Sequence, residues 1–233
     1  MFFAYPEPLS FLSTLMTEHM NSEQESSRVA IEPMYIPFFQ KDYCCVPACI
    51  QMILYRRNLP LFPQGTIGKA MGLVIPKDYA EAFYEDIKTS RSKKLKTYGA
   101  HSIVKTLNSF FRRKKIDLRS QYISPDTIGD ITGFVRKNIL QGNDIMVSYA
   151  NHALESIRCA KNNRTSHCVL IQELDGDQVT CVDPYPDNPE LWETRLHHLV
   201  DSMPLSNNGF RVFCSTGIQS RQMLQTILKA TKK

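Results

Sequence analysis

The chain has 233 residues, of which 42% are hydrophobic and 22% are charged, and its formal net charge is +5. A chain of this length can bury a core without disulfides or metals, and this composition excludes the disordered and fibrous classes. Because the charge is modest and no zinc-finger spacing, RNP-like aromatic pattern or regular basic repeat occurs, we expect no nucleic-acid partner.

The N-terminal segment differs in composition from the rest of the chain. We predict an N-terminal extension over residues 1–30, with a helix over 9–20 and a loose polar segment over 21–27. Two interpretations stay open, a leader or pro-segment and a mobile arm packed on the domain, and we favour the arm. Residues 31–233 are predicted to form a single domain.

Helical patterns dominate the first half of this domain. Residues 34–40 are β-prone but broken by proline, so we expect them to be extended. Residues 43–57 then have apolar residues at helical spacing, with Pro47 in the first turn, where proline is tolerated. The remaining predicted elements are helices over 76–89, 100–114 and 128–140, and strands over 116–123 and 144–149.

The second half is rich in β-strand patterns. After a predicted loop over 151–165, strands are expected over 167–173 and 178–182, joined by a tight turn at Asp175–Asp177. A last strand is expected over 210–215. Helices followed by an antiparallel sheet indicate an α+β fold.

The seven cysteines do not follow a disulfide pattern, because their number is odd and several lie inside apolar runs. No CxxC pair occurs, so we expect no metal and no other cofactor. No apolar run reaches the ~18–20 residues that span a bilayer. The N-terminus also lacks the features of a secretory signal. We therefore expect a cytoplasmic protein, or an effector exported by a non-classical route.

Cys45 lies at the start of the predicted helix over 43–57. Unpaired backbone N–H groups at a helix N-terminus lower a thiol pKa and can face a developing oxyanion. This position suits a nucleophile, although a small core residue is the plainer alternative for any buried cysteine. For Cys49 and Cys168, which lie inside apolar runs, we favour the core role.

His167 and Asp183 stand at the two open ends of the predicted hairpin. Arms of seven or eight residues, each rising ~3.3 Å per residue, bring the two ends into contact range. The carboxylate can then hold the imidazole in one tautomer and stabilise its charged form. Gln40, five residues before Cys45, can donate its amide to an oxyanion if the chain folds back.

These two segments resemble the papain-like cysteine peptidases, most closely the bacterial branch of double-glycine leader peptidases and secreted effector proteases. The resemblance rests on Gln40 and the run Cys45–Ile53, and on Ser166–Val169 with Val182–Pro184. It implies a papain-like fold in which helices around the nucleophile helix pack on a C-terminal antiparallel sheet. It also implies that Cys45 is the nucleophile, His167 the general base and acid, Asp183 the orienting residue and Gln40 the oxyanion-hole donor.

Two departures from the family pattern affect the site. Val46 follows the nucleophile where glycine or tryptophan is usual, and the Gln40-to-Cys45 spacing is five where six is commoner. The spacing leaves Cys44 open as the reactive thiol, but Cys45 keeps the family offsets to Ala48 and Met52, so we prefer it.

The resemblance implies a cysteine peptidase that hydrolyses a protein or peptide substrate through a thioester acyl-enzyme. Two alternatives stay open. The same acyl-enzyme would serve an acyltransferase or amidase, because the acceptor alone differs between them. The second alternative is a catalytically inactive papain-like module that only binds a partner, and Val46 is the main observation in its favour. Trp192 either lines a groove or packs in the interior.

Overall fold

The computed structural model describes residues 28–84, 87–90, 103–150, 154, 166–203 and 209–217. The predicted helix over 9–20, the polar segment over 21–27 and nearly all of the predicted loop over 151–165 lie outside these residues. Their structures, and the predicted domain boundary at residue 30, stay predictions.

Five α-helices occur in the described residues: α1 (Cys45–Arg56), α2 (Gln64–Ala70), α3 (Ile103–Arg113), α4 (Ile131–Leu140) and α5 (Leu196–Asp201). Short 3-10 helices span Lys77–Ala82 and Pro125–Thr127. Helix α4 begins at Asp130, whose carboxylate accepts a hydrogen bond from the backbone N–H of Gly133 and so caps the helix. Within the described ranges, no helix has the length and apolar character to cross a bilayer.

The described strands are β1 (Arg28–Ala30), β2 (Val74–Pro76), β3 (Lys88–Ser90), β4 (Arg119–Ile123), β5 (Asp144–Ala150), β6 (Ser166–Asp175), β7 (Gln178–Val182), β8 (Leu191–Arg195) and β9 (Gly209–Cys214). Seven of them form one sheet in the order β4-β9-β5-β6-β7-β8, with β1 paired to β6. All pairs in this sheet are antiparallel. Strands β2 and β3 form a separate parallel pair.

Helices cover both faces of the sheet, so every residue of the central strand β5 is buried. Side chains alternate between the faces along a strand, and directly paired residues share a face. Helix α1 lies on the face that carries Asp144, Ser148 and Cys168. Helix α4 lies on the other face, where the ring of Phe134 meets that of Phe210 at 5.4 Å.

The C-terminal end of α1 is tied to the sheet through Asp144, which is fully buried. Its Oδ1 accepts hydrogen bonds from Arg56 Nε at 2.7 Å and from Tyr35 Oη at 2.8 Å, and its Oδ2 accepts one from Arg57 Nε at 2.5 Å. A buried carboxylate needs this compensation, because its charge has lost water as a partner. The contacts fix the helix that carries Cys45 at its other end.

The predicted α+β class is confirmed: helices pack on an antiparallel sheet. The prediction of a helix over 76–89 is wrong. The chain there forms the short 3-10 helix and then β3, and Phe83 and Ile87 pack against Cys44, Leu73 and Ile75 in a small apolar cluster. Some short elements were not predicted, because tertiary packing decides whether a short segment becomes helix or strand. They are helices α2 and α5 and strands β1 and β8.

Candidate active site

Cys45 is the first residue of α1, and a tight turn precedes it. The backbone N–H of Cys44 donates to the carbonyl of Lys41 at 2.9 Å, and Tyr43 inside this turn has a φ of 64°. Positive φ is uncommon for a bulky residue and is often found where a functional site fixes the backbone. The turn places Cys45 at the helix start, where the Val46 backbone N–H contacts its sulfur.

The structure separates the two adjacent cysteines. Cys44 is fully buried in the small apolar cluster of Leu73, Ile75, Phe83 and Ile87, whereas Cys45 is half-buried at the helix N-terminus. Cys45 is therefore the better placed of the two for attack on a substrate. The side chain of Val46 is also buried, in the main core.

A β-bulge in β6 determines which face of the sheet Asp183 occupies. Next to the turn, Asp175 pairs with Gln178, but beyond Gln172 the register shifts so that Leu170 pairs with Val182. A regular hairpin would pair Leu170 with Asp183 and place Asp183 on the face opposite to His167. Because one extra residue changes the face of every later side chain, the bulge brings Asp183 and His167 to the same face.

His167 Nε2 and Asp183 Oδ1 lie 2.7 Å apart, and both side chains are buried. Three further donors contact the carboxylate. The backbone N–H of Tyr185 donates to Oδ1 at 2.8 Å, and Asn188 Nδ2 and Trp192 Nε1 donate to Oδ2 at 2.8 and 3.0 Å. With Nε2 held by the carboxylate, Nδ1 is the imidazole nitrogen left to accept a proton.

The electrostatics of Asp183 favour its charged form. Burial by itself raises the pKa of this carboxyl, but the hydrogen bond and charge of His167 outweigh burial, with help from Tyr185 and Asn188, and the pKa falls below its usual value. Asp183 therefore stays ionised at neutral pH. Its contribution to stability is present above the usual pKa of about 4 and is lost as the pH falls through the lowered value.

Aromatic rings surround the imidazole. Tyr149 and Tyr185 meet the ring of His167 edge-on, at centroid distances of 5.8 and 6.1 Å, and Tyr149 also meets Trp192 at 6.3 Å. Such a shell limits water around the His167–Asp183 pair and strengthens its hydrogen bond. The sequence left the role of Trp192 open and missed Asn188. Their only sequence clue is closeness to Asp183 in a proline-rich stretch.

Gln40 is held beside this pair by the backbone. Its N–H donates to the carbonyl of Pro184, the residue after Asp183, at 2.8 Å. Gln64 fixes the chain on both sides of Gln40, because its amide accepts from Lys41 N–H and donates to the Phe39 carbonyl, each at 2.8 Å. The side-chain Oε1 of Gln40 is buried and has no hydrogen-bond partner among the residues that the structure describes. Nothing in the sequence pointed to Gln64.

The thiol of Cys45 forms its hydrogen bond with Cys168, the residue that follows His167 in β6, and not with the imidazole. This bond, together with burial, raises the pKa of Cys45. The same bond lowers the pKa of Cys168 to about 7 against the effect of burial, and Ser148, His167 and Arg211 act in the same direction. In the described ranges, no group of three or more His, Cys, Asp or Glu side chains could hold a metal ion.

Comparison with protein-family models gives a match to the Peptidase_C39 like family over residues 33–199. The chain belongs to this family of cysteine peptidases. The match spans the segments that carry Gln40, Cys45, His167 and Asp183. It does not assign their roles, which stay predictions. A comparison with curated proteins gave no match.

One solved structure of a C39-like peptidase shares this fold, and two further solved structures are similar to parts of it. A C39-like peptidase from Bacillus anthracis is 13% identical with a TM-score of 0.52, and the match covers 81% of this chain and 98% of that one. The peptidase domain of Streptococcus ComA, a bifunctional ABC transporter of a quorum-sensing pathway, is 12% identical with a TM-score of 0.45, covering 78% and 97%. A double-glycine motif protease of an AMS/PCAT transporter, solved with its leader peptide, is 11% identical with a TM-score of 0.40, covering 81% and 99%.

For this C39-like protein, Asp183→Ala is expected to reduce kcat but to leave measurable activity. Without the carboxylate the imidazole loses its preferred tautomer, yet His167, the predicted base, remains. The loss should be one to two orders of magnitude smaller than that caused by removing the nucleophile. Steady-state kinetics on one peptide substrate would measure it.

Asn188→Ala is the matched control, because it removes one donor to Asp183 and keeps the contact between His167 and Asp183. We expect only a few-fold change in kcat for this variant. If Asn188→Ala lost as much activity as Asp183→Ala, the carboxylate would act through the surrounding loop and not through the imidazole.

Proposed function

We propose that this chain is a cysteine peptidase that hydrolyses peptide bonds through a Cys45–His167–Asp183 triad. The observation that supports this most strongly is the buried His167–Asp183 pair at 2.7 Å, in a chain whose family match also spans Cys45 at a helix start. A buried carboxylate with four hydrogen-bond donors is costly to assemble and serves to orient one imidazole. Such an arrangement is typical of a proton-transfer site.

The reaction needs the Cys45 thiol to leave Cys168 and to reach Nδ1 of His167. His167 takes the thiol proton, and the thiolate attacks the carbonyl carbon of the substrate peptide bond. The imidazolium, stabilised by Asp183, then protonates the leaving amine. Water hydrolyses the thioester with His167 as the base, and the free thiol returns.

The oxyanion of each tetrahedral intermediate needs donors that are already in place. Backbone N–H groups of the first turn of α1 face the substrate carbonyl next to Cys45. The second donor in our proposal is the side-chain amide of Gln40, whose backbone is held beside Asp183 by the hydrogen bond to Pro184. No step of this sequence requires a cofactor.

The test is a peptide-library digest by the full chain, read by mass spectrometry, with Cys45→Ala as the control. We expect cleaved peptides with free carboxylates, present with the wild type and absent with the variant. Primary amine adducts formed from an added amine would instead favour the acyltransferase. Binding of peptides without any turnover would favour the inactive module and overturn the proposal.

Gln64→Leu is expected to lower kcat although Gln64 touches no reacting group. The substitution removes both hydrogen bonds that fix the chain around Gln40, and a displaced oxyanion donor can cost up to about 10²-fold in rate. Because the loss falls on the transition state, KM should change little. The measurement is kcat and KM on the peptide found in the digest.

A double-mutant comparison tests whether Gln64 acts through Gln40. Once Gln40→Ala has removed the donor, adding Gln64→Leu should cost little more, so the two losses should not add. Gln51→Leu is the control, because Gln51 makes a similar hydrogen bond to a carbonyl, that of Phe62, but does not contact the segment around Gln40. Additive losses would show that Gln64 supports the fold rather than the donor.

A further inference from the structure

A second thiol faces the predicted nucleophile. Cys168 lies on the face of β6 that packs against α1, one residue after His167, and its thiol shares a hydrogen bond with the thiol of Cys45. Cys168 is 4% exposed, whereas Cys45 is half-buried. The sequence favoured a purely structural role for Cys168 in the core. Such a role does not account for the contact between the Cys168 and Cys45 thiols.

The surroundings of Cys168 favour a thiolate. Ser148, its direct partner in β5, places its hydroxyl 3.0 Å from the sulfur. Arg211 is 7% exposed and lies over the ring of Tyr122 at 5.4 Å, and its Nε has no hydrogen-bond partner in the part of the chain that the structure describes. This buried positive charge acts on Cys168, and His167 lowers the pKa of Cys168 in the same direction. Polar groups of this kind are unusual around a structural cysteine.

We propose that Cys45 and Cys168 form a reversible disulfide when the protein meets a hydroperoxide, which switches the peptidase off. The regulatory part rests on the proposed function, because it assumes that Cys45 is the nucleophile. The chemical part does not, since it needs only the two facing thiols. The two thiols are then a modification site that responds to oxidants.

The reaction balances with two thiols and one hydroperoxide. Cys45 attacks the outer peroxide oxygen and the O–O bond breaks. The proton of Cys45 passes to the leaving oxygen, which departs as an alcohol or water, and Cys45 becomes a sulfenic acid. The sulfur of Cys168 then attacks the sulfur of Cys45. Hydroxide leaves, takes the proton of Cys168 and departs as water. The two thiols lose two electrons, and the peroxide gains them.

Access and proximity set this order of events. Peroxide reaches the half-buried Cys45 first, and the buried Cys168 is already within hydrogen-bonding reach to resolve the sulfenic acid. Resolution protects Cys45 from further oxidation to the sulfinic acid, which thiols do not reverse. The nearby thiol of Cys49 is less suited to this role, because its sulfur is directed at the backbone carbonyl of Cys168, 3.5 Å away.

The test is to treat the reduced full chain with hydrogen peroxide and to map the products by mass spectrometry without reduction. The wild type should lose about 2 Da and yield a crosslinked peptide that joins Cys45 to Cys168. Dithiothreitol should restore the mass and the peptidase activity. In Cys168→Ala, Cys45 should gain oxygen atoms, and the lost activity should not return with dithiothreitol.

Two controls keep the result interpretable. Cys214→Ser removes a half-exposed cysteine of β9 and should behave as the wild type. Cys168→Ser is a second variant in case Cys168→Ala unfolds, and thermal melts would show which of them folds. A crosslink through Cys49, or a wild type that overoxidises as readily as the Cys168 variants, overturns the proposal. A crosslink found in a chain without peptidase activity would support the modification site and refute the function separately.

Discussion

Cys45→Ala and His167→Ala are each expected to reduce peptide hydrolysis by about 10⁴-fold or more, while the protein stays folded. In the proposed mechanism, the first removes the atom that forms the thioester. The second removes the nitrogen proposed to take the thiol proton, and the remaining thiol is a poor nucleophile at neutral pH because its pKa is raised. Single-turnover kinetics on the cleaved peptide, with thermal melts of both variants, would measure the losses.

Cys44→Ala is the matched control for the nucleophile. It changes the neighbouring cysteine, which is buried in the small apolar cluster, and should cost stability but keep most of the activity. Alkylation by iodoacetamide, mapped to individual cysteines, should mark Cys45 faster than Cys44 in the wild type. If Cys45→Ala kept wild-type turnover, or if only Cys44→Ala lost turnover, Cys44 would be the nucleophile.

Asp144→Ala is expected to lower the free energy of unfolding by about 3–5 kcal/mol. The carboxylate is fully buried and compensates Arg56 and Arg57, whose side chains would keep their charges in a largely buried place without it. The hydroxyl of Tyr35 would lose its acceptor as well. For a protein whose total stability is about 5–15 kcal/mol, this is a large fraction. Urea denaturation followed by circular dichroism would measure it.

Asp177→Ala is the comparison for this prediction, because Asp177 has the same kinds of partner in an exposed position. It lies 3.8 Å from Arg195 Nη1 and 2.7 Å from His197 Nδ1, and its side chain is 37% exposed. Solvent screens such pairs, so we expect a change below about 1 kcal/mol. Equal effects of the two substitutions would mean that Asp144 is not the tie between α1 and the sheet.

Asp144 also links stability to the candidate site. It holds the C-terminal end of α1, whereas Cys45 occupies the first position of the same helix. A helix is stiff over three turns, so a shift at one end moves the other end too. The denaturation experiment therefore also indicates how firmly the nucleophile is held.

Local patterns were enough to predict the elements that carry the site. Apolar spacing and Pro47 predicted the helix over 43–57, and α1 spans Cys45–Arg56. The β-prone runs after residue 166 and the turn at Asp175–Asp177 predicted the hairpin of β6 and β7. These features depend on neighbours in the chain, which is why a sequence shows them.

Contacts between distant segments could not be predicted in this way. The helical pattern over 76–89 was overruled because Phe83 and Ile87 pack beside Cys44. Gln64, Asn188 and the thiol contact of Cys168 depend on residues brought together from separate elements. No periodicity marks such residues, since each acts through one specific partner.

From the amino-acid order one can predict which groups the candidate site contains and which two elements present them: a thiol at a helix start, and an imidazole and a carboxylate on a hairpin. The face of the sheet on which Asp183 lies follows only from the folded arrangement. Long-range hydrogen bonds hold the bulge at Gln172. The Gln172 side chain accepts one from the Tyr35 N–H at 2.9 Å and donates one to the Ile31 carbonyl at 2.7 Å. Side chains alternate between the two faces of a sheet along a strand. One inserted residue held by such contacts therefore moves every later side chain to the opposite face.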